Sequence, residues 1–213
     1  YVTFLFAYVC VIFVLGIVGL GRIGQATAQR ARAMRMRVIA YDPYLRPGTE
    51  KVFGVEMVSF EELLSTSDVV SLHTPLTKET EDLIDNDALS RMKSDSILVN
   101  TSRGSVVNTA ALAKALRSGK IAAAGIDVLP IEPASEDEPL IQLWREADET
   151  NVNLIITPHT AFYSAEAMLE IRTKTAMEVA RALRGEKLVN CVNSQWLSND
   201  VRRRVLVGIP PTL

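Results

Sequence analysis

Positions 14–24 read Val-Leu-Gly-Ile-Val-Gly-Leu-Gly-Arg-Ile-Gly, an apolar run that ends in glycines spaced G-x-G-x-x-G and passes into an alanine-rich stretch. Few short patterns constrain a fold so tightly, because each glycine answers a different steric demand. Gly19 lets the chain turn where a side chain would forbid it. Gly21 leaves the backbone bare for a pyrophosphate, and Gly24 lets a helix approach the preceding strand. The first N–H groups of that helix lack intrahelical partners, and the helix dipole favours an anion beside them. Three glycines in six residues also make an ordinary loop, so the context decides. A second apolar run, 38–41, closes on Asp42, 18 residues after Gly24. An acid near that spacing accepts hydrogen bonds from the adenosine ribose. It also repels a 2′-phosphate, which favours NAD over NADP.

The rest of the chain alternates between short apolar runs and helical patterns. A helix over 25–36 presents Ala26, Ala28, Ala31 and Met34, small enough to sit close on a sheet. Pro43 and Pro47-Gly48 interrupt the chain after Asp42. A strand over 55–58 precedes Ser59 and Glu62, which form a capping box for a helix through Leu64. Strands follow at 69–72 and 97–100, with a loop at 73–77 and a short helix at 86–92 between them. Asn108 caps a helix over 110–117 that stops at Gly119. A strand over 123–127 leads to a loop over 129–150 with Pro130, Pro133, Pro139 and an acidic bias, read as a solvated insert over 134–151. A strand over 154–157 precedes Pro158-His159. Ser164 then caps a long helix that runs to Arg184 and ends at Gly185, with an apolar stripe from Ala165 to Leu183. The pattern predicts an α/β fold, a Rossmann-type doubly wound parallel sheet of about seven strands with helices on both faces. Ligands of such sheets bind beyond the carboxyl ends of the strands. Asp42, His73, Arg103, Asp127 and His159 each stand at or just after the end of an apolar run, and five such placements make a site.

Hydrophobic residues make up 48% of the 213, enough for a sizeable core, and the net charge of −2 invites neither nucleic acid nor an anionic membrane surface. Two cysteines, Cys10 and Cys191, form no framework and suggest a reducing compartment without a structural metal. Residues 1–21 carry no charge. A bilayer span needs ~20 apolar residues, but the glycine fingerprint claims 14–18 as a strand. The remaining 1–13 are shorter than a span and lack the basic start of a signal peptide. The expected organisation is an apolar segment over 1–12, a nucleotide-binding domain over 13–193 and a tail over 194–213, in a cytoplasmic protein.

A bound NAD would supply a hydride acceptor, and oxidising an alcohol also needs a base, for which histidine has a suitable pKa. His73 and His159 are both available, and spacing does not choose between them. Arg103 could hold a substrate carboxylate bidentately or clamp a phosphate. Glu132 could orient a histidine or be one acid in an acidic loop.

Five segments occur in order: 17–24, His73-Thr74-Pro75-Leu76-Thr77, Val99-Asn100-Thr101-Ser102-Arg103-Gly104, Gly125-Ile126-Asp127-Val128 with Glu132-Pro133, and Thr157-Pro158-His159. Together they resemble the NAD-binding domain of the D-isomer-specific 2-hydroxyacid dehydrogenases. The resemblance implies that Arg103 holds and polarises a small 2-oxo or 2-hydroxy acid, that His159 is the acid/base and that Glu132 pairs with it. It places Gly19, Gly21, Arg22, Ile23 and Gly24 at the pyrophosphate of NAD. Asp42 falls on the ribose, and Thr74, Thr101, Asp127 and His159 lie along the cofactor. His73 becomes a loop residue. The resemblance also implies a homodimer formed through this domain.

Tyr41-Asp42-Pro43-Tyr44-Leu45, Tyr163-Ser164 and Asn190-Cys191-Val192-Asn193 are similar to the C-terminal-binding-protein branch, which includes NAD-regulated transcriptional corepressors. That alternative implies an NAD(H)-sensing, nuclear protein. Phe162 departs from it, since the animal corepressors carry a Trp shortly after the histidine. In the family the nucleotide domain is inserted into a substrate domain, so a long segment is expected before Val14. Without that wall the fragment is expected to bind NAD and turn over slowly.

Overall fold

The computed structural model describes residues 13–146 and 152–191. The apolar segment 1–12 and the tail 194–213 lie outside the described residues. The chain divides into two compact units, 1–161 and 162–213, so the span 13–193 read as one domain falls across both.

In the first unit β1 (Val14–Val18), β2 (Arg37–Tyr41), β3 (Glu56–Met57), β4 (Val69–Leu72), β5 (Ile97–Asn100), β6 (Ala123–Ile126) and β7 (Asn153–Ile156) form one sheet. Every pairing is parallel and the order is β3-β2-β1-β4-β5-β6-β7. The connecting helices are α1 (Arg22–Ala33), α2 (Thr49–Phe53), α3 (Phe60–Thr66), α4 (Asn86–Arg91), α5 (Thr109–Arg117) and α6 (Pro139–Arg145), with a 3-10 turn at Gly104–Val106. β1 lies inside the sheet between β2 and β4 and is buried on both faces. Its side chains alternate between two cores, as strand pleating requires. Leu15 and Ile17 pack with Leu20, Ala28 and Ala31 on the α1 side. Val14 and Val18 join the larger core with Leu63, Leu64, Leu98 and Leu112. The strand order reverses between β1 and β4, so a crevice opens beyond their carboxyl ends, where doubly wound sheets bind ligands.

Caps follow the sequence closely. The hydroxyl of Ser59 accepts from the N–H of Glu62 at 3.1 Å, and the Asn108 side chain accepts from the N–H of Ala111 at 2.9 Å. Asp85 does the same for Ala88 at 2.9 Å, a cap not anticipated from the sequence. Three boundaries differ in informative ways. Helix α1 begins at Arg22 rather than Gln25, so its first turn lies inside the glycine fingerprint. Gly48 and Gly54, both left-handed, bracket the one-turn helix α2 where the prolines suggested only a break. The solvated insert is also corrected. Pro139 opens α6 at a position where its missing N–H costs nothing. Leu140 and Leu143, three apart on one face, are 0% exposed in the main core. Proline there signals a start, not an interruption.

In the second unit α7 (Ala165–Arg184) starts on the Ser164 hydroxyl, which accepts from the N–H of Ala167 at 3.0 Å. It ends on Gly185 with φ 66°, as its sequence pattern predicts. Among the described residues no helix is long and apolar enough to cross a membrane.

Candidate active site

The glycine turn is built as the steric argument requires. Gly19 has φ +92°, and a Cβ there would lie 2.9 Å from the carbonyl oxygen of His73. A Cβ on Gly24 would stand 2.2 Å from the carbonyl oxygen of Gly19, so the first turn of α1 rests directly on the loop. A Cβ on Gly21 would meet nothing within 4 Å. Gly21 is the N-cap of α1 and offers no capping side chain. The opening N–H groups of α1 therefore await an external acceptor.

Asp42 closes β2 and ties this turn down. Its Oδ2 accepts from the N–H of Leu20 at 2.9 Å, and its Oδ1 accepts from the N–H of Tyr44 at 2.9 Å. A carboxylate has about four lone-pair sites, so Asp42 keeps capacity for ribose hydroxyls. The N–H of His73 bonds the carbonyl of Val18 at 2.8 Å and carries the sheet into the 73–77 loop. The His73 ring contacts the hydroxyl of Ser71 through Nε2 at 3.0 Å, and burial lowers its pKa, which favours the neutral ring. Nδ1 of His73 and the hydroxyl of Thr74 are buried with no hydrogen-bond partner among the described residues. Gly19, Gly21, Asp42, His73 and Thr74 line one cavity of about 620 Å³ at the β1/β4 crevice. A bare glycine, the Asp42 carboxylate and an orphaned hydroxyl around one cavity fit an adenine dinucleotide.

A second cavity of about 600 Å³ lies at the ends of β6 and β7 and gathers Asp127, Glu132 and His159. His159 Nδ1 and Glu132 Oε2 are 2.7 Å apart. The other Glu132 oxygen accepts from the N–H of Leu129 at 3.0 Å. Burial raises the pKa of Glu132, but the bonds from His159 and Leu129 outweigh it and hold the carboxyl below its ordinary value. An ionised Glu132 only accepts, so the shared proton sits on Nδ1 and Nε2 is the basic nitrogen. His159 has φ +53°, a conformation uncommon for a residue with a side chain.

Asp127 holds that backbone in place. Its N–H bonds the carbonyl of Asn100 at 2.9 Å, and its carbonyl accepts from the N–H of His159 at 2.8 Å. Its carboxylate accepts from the hydroxyl of Thr157, from the N–H of Thr160 at 2.8 Å and from the N–H of Ala161 at 3.0 Å. Desolvation would raise the Asp127 pKa, but these donors prevail and keep it low. The family resemblance implies a place for Asp127 along the cofactor and gives no sign of this anchoring of the histidine loop.

Arg103 lines neither of these two cavities. Its carbonyl accepts from Nδ2 of Asn100 at 3.0 Å, and its guanidinium donates to the carbonyl of Ser102 at 2.6 Å. Thr101 is exposed beside it. Arg22 and Ile23 are exposed on the first turn of α1, and Gly24 is buried. Asn100 was not singled out from the sequence. Its Oδ1 accepts from both the N–H and the hydroxyl of Ser102, at 3.0 and 2.8 Å, and fixes the turn that presents Arg103. A buried amide closing an apolar strand is the signal that could have found it. Among the described residues no group of three or more His, Cys, Asp or Glu is arranged to hold a metal.

A doubly wound parallel sheet with a glycine turn and the Asp42 carboxylate at its switch point, and a His–Glu pair at the ends of β6 and β7, defines a Rossmann-type dinucleotide-binding domain. The model of the D-isomer specific 2-hydroxyacid dehydrogenase NAD binding domain matches residues 13–161, and the chain belongs to that family. NAD is the cofactor for which the domain is built. The chain is 46% identical over 181 residues to a glyoxylate reductase of Korarchaeum cryptofilum, covering 85% of this chain and 52% of that protein. It is 44% identical over 179 residues to a D-3-phosphoglycerate dehydrogenase of Mycobacterium leprae, covering 84% of this chain and 32% of that protein. Among solved structures, D-lactate dehydrogenase from Aquifex aeolicus complexed with NAD and lactic acid superposes with a TM-score of 0.74 at 35% identity. That match covers 83% of this chain and 55% of the other. The chain thus spans from about a third to about half the length of the relatives it matches.

Proposed function

We propose that this chain is the cofactor and acid–base half of an NAD-dependent D-2-hydroxyacid dehydrogenase acting on a small 2-hydroxy or 2-oxo acid. The observation that carries this reading is the 2.7 Å His159–Glu132 pair at the strand ends of an NAD-binding sheet. NAD, when bound, supplies the hydride acceptor for the carbon bearing the hydroxyl. The Gly19–Gly24 turn, Arg22 and Ile23 would hold its pyrophosphate. Asp42 would hold the adenosine ribose, and Thr74, Thr101 and Asp127 would lie along the rest. His159 Nε2 takes the hydroxyl proton in oxidation and returns it in reduction. Glu132 keeps Nδ1 protonated and stabilises the imidazolium that forms. Arg103 presents a guanidinium to the substrate, where it would hold the carboxylate and polarise the 2-oxo group. The relatives reported above are reductases and dehydrogenases, which favours an enzyme over a corepressor.

The His159 and Glu132 side chains are 43% and 39% exposed. Hydride transfer needs a closed, water-excluding site. A polypeptide of these 213 residues alone therefore binds NADH and turns over slowly, and the reading includes a cytoplasmic homodimer formed through this domain. The test is a scan of 2-oxo acids with the full-length protein, wild type and Arg103→Gln, alongside NADH titration. Sharp substrate preference that Arg103→Gln abolishes while NADH affinity stays within about twofold supports the proposal. Uniformly feeble rates that Arg103→Gln leaves untouched refute it.

A further inference from the structure

The cavity at the β1/β4 crevice is lined by a second acid besides Asp42. Glu79 reaches it from the loop after β4, whereas Asp42 stands at the end of β2. One residue joins them. The backbone N–H of Tyr44 donates to Asp42 Oδ1 at 2.9 Å, and the hydroxyl of Tyr44 donates to Glu79 Oε2. The Glu79 loop is itself ordered. The N–H of Glu79 donates to the hydroxyl of Thr77 at 3.3 Å, and the hydroxyl of Thr80 donates to the carbonyl of Pro75 at 2.6 Å. Lys78 lines the same cavity and is its one cation among the described residues.

We propose that Glu79, held by Tyr44, is a second specificity determinant for the adenosine ribose and excludes a 2′-phosphate together with Asp42. The inference rests on the reading of this cavity as the NAD site. A phosphate can be accommodated beside one acid if a cation lines the same cavity. Lys78 is such a cation. Glu79, its chain neighbour on the same wall, offsets that charge. Removing the Glu79 charge leaves Lys78 to attract the extra phosphate. The tyrosine contributes position: it ties the Glu79 carboxylate to the loop that carries Asp42.

The experiment is a titration of the 213-residue chain with NADH and NADPH, for wild type, Glu79→Gln and Tyr44→Phe. Glu79→Gln keeps an acceptor for the tyrosine hydroxyl and removes the charge. A phosphate near −2 moved out of reach of one carboxylate at partly screened range should bind about tenfold more tightly. The expected result is NADPH affinity raised about tenfold in Glu79→Gln with NADH affinity within about twofold. A smaller rise is expected in Tyr44→Phe, which keeps the charge but loosens it. Unchanged NADPH affinity in Glu79→Gln, or NADH and NADPH affinities that rise in step, overturns the proposal. Absence of NADH binding by folded wild-type protein would instead refute the cofactor-site reading itself, and the specificity role with it.

Discussion

Gly21→Ala and Gly24→Ala add the same single methyl group three residues apart, and the structure assigns them opposite consequences. At Gly24 the new carbon would lie 2.2 Å from the carbonyl oxygen of Gly19 and 3.2 Å from Cγ2 of Ile17. The oxygen is backbone and cannot rotate away, so α1 must lift by about 1 Å from the turn. Overpacking of this kind costs about 3 kcal/mol at the upper end of its range. Alanine returns about 1 kcal/mol through better helix propensity. The net loss is about 2 kcal/mol, or a fall in Tm of roughly 6 °C for a unit of this size. At Gly21 the added carbon meets nothing within 4 Å, and φ −73° with ψ −164° suits alanine. Stability should change by no more than about 1 kcal/mol, because alanine is a poorer N-cap than glycine while the unfolded chain loses freedom. NADH affinity should nevertheless fall by more than about tenfold, since on the proposed reading the methyl stands where a pyrophosphate approaches. Thermal unfolding followed by far-UV circular dichroism, paired with NADH titration, separates the two effects. The reasoning is wrong if the variants lose stability equally, or if Gly21→Ala binds NADH as wild type does.

Two further substitutions test the core and the histidine loop. Leu140→Ala removes a fully buried side chain from α6 and should cost about 2–5 kcal/mol in urea denaturation; a cost below about 0.5 kcal/mol would return 134–151 to the status of a solvated insert. Asp127→Asn places an amide N–H₂ against backbone donors and should destabilise by about 1–3 kcal/mol at pH 7. The Asp127 carboxyl titrates below its ordinary 3.8, so wild type holds this advantage above pH 3.8 and loses it as the pH falls through the lower folded value. Melting temperatures of both proteins should therefore converge below pH 3.8, and a constant gap from pH 7 to pH 3 would count against the assigned hydrogen bonds.

The sheet was legible because its strands are short apolar runs that end in polar residues, and a strand buried on both faces has no other pattern to show. β1, β4 and β5 stand where the sequence places them. The Ser59, Asn108 and Ser164 caps were legible for a related reason: each depends on contacts within a few residues. The Asp85 cap and the Asn100 turn are local and escaped all the same, but the long-range ties of the site depend on contacts across the sheet. Tyr44 and Glu79 are 35 residues apart and meet only once β2 and β4 flank β1. Asp127 engages Thr157, Thr160 and Ala161 only because β6 neighbours β7. Helix α6 was missed because Pro139 was weighed as an interruption, although proline is equally at home on the first turn of a helix.

The backbone rungs that continue past the strand ends have a consequence for how such a domain can diverge. His73 is bonded to Val18, Asp127 to Asn100 and His159 to Asp127, so each functional loop leaves the sheet from a pinned origin. Insertions between Glu132 and β7, where α6 resides, lengthen a path between two fixed posts without moving either. A change of loop length there leaves the 2.7 Å contact between His159 and Glu132 anchored from both sides.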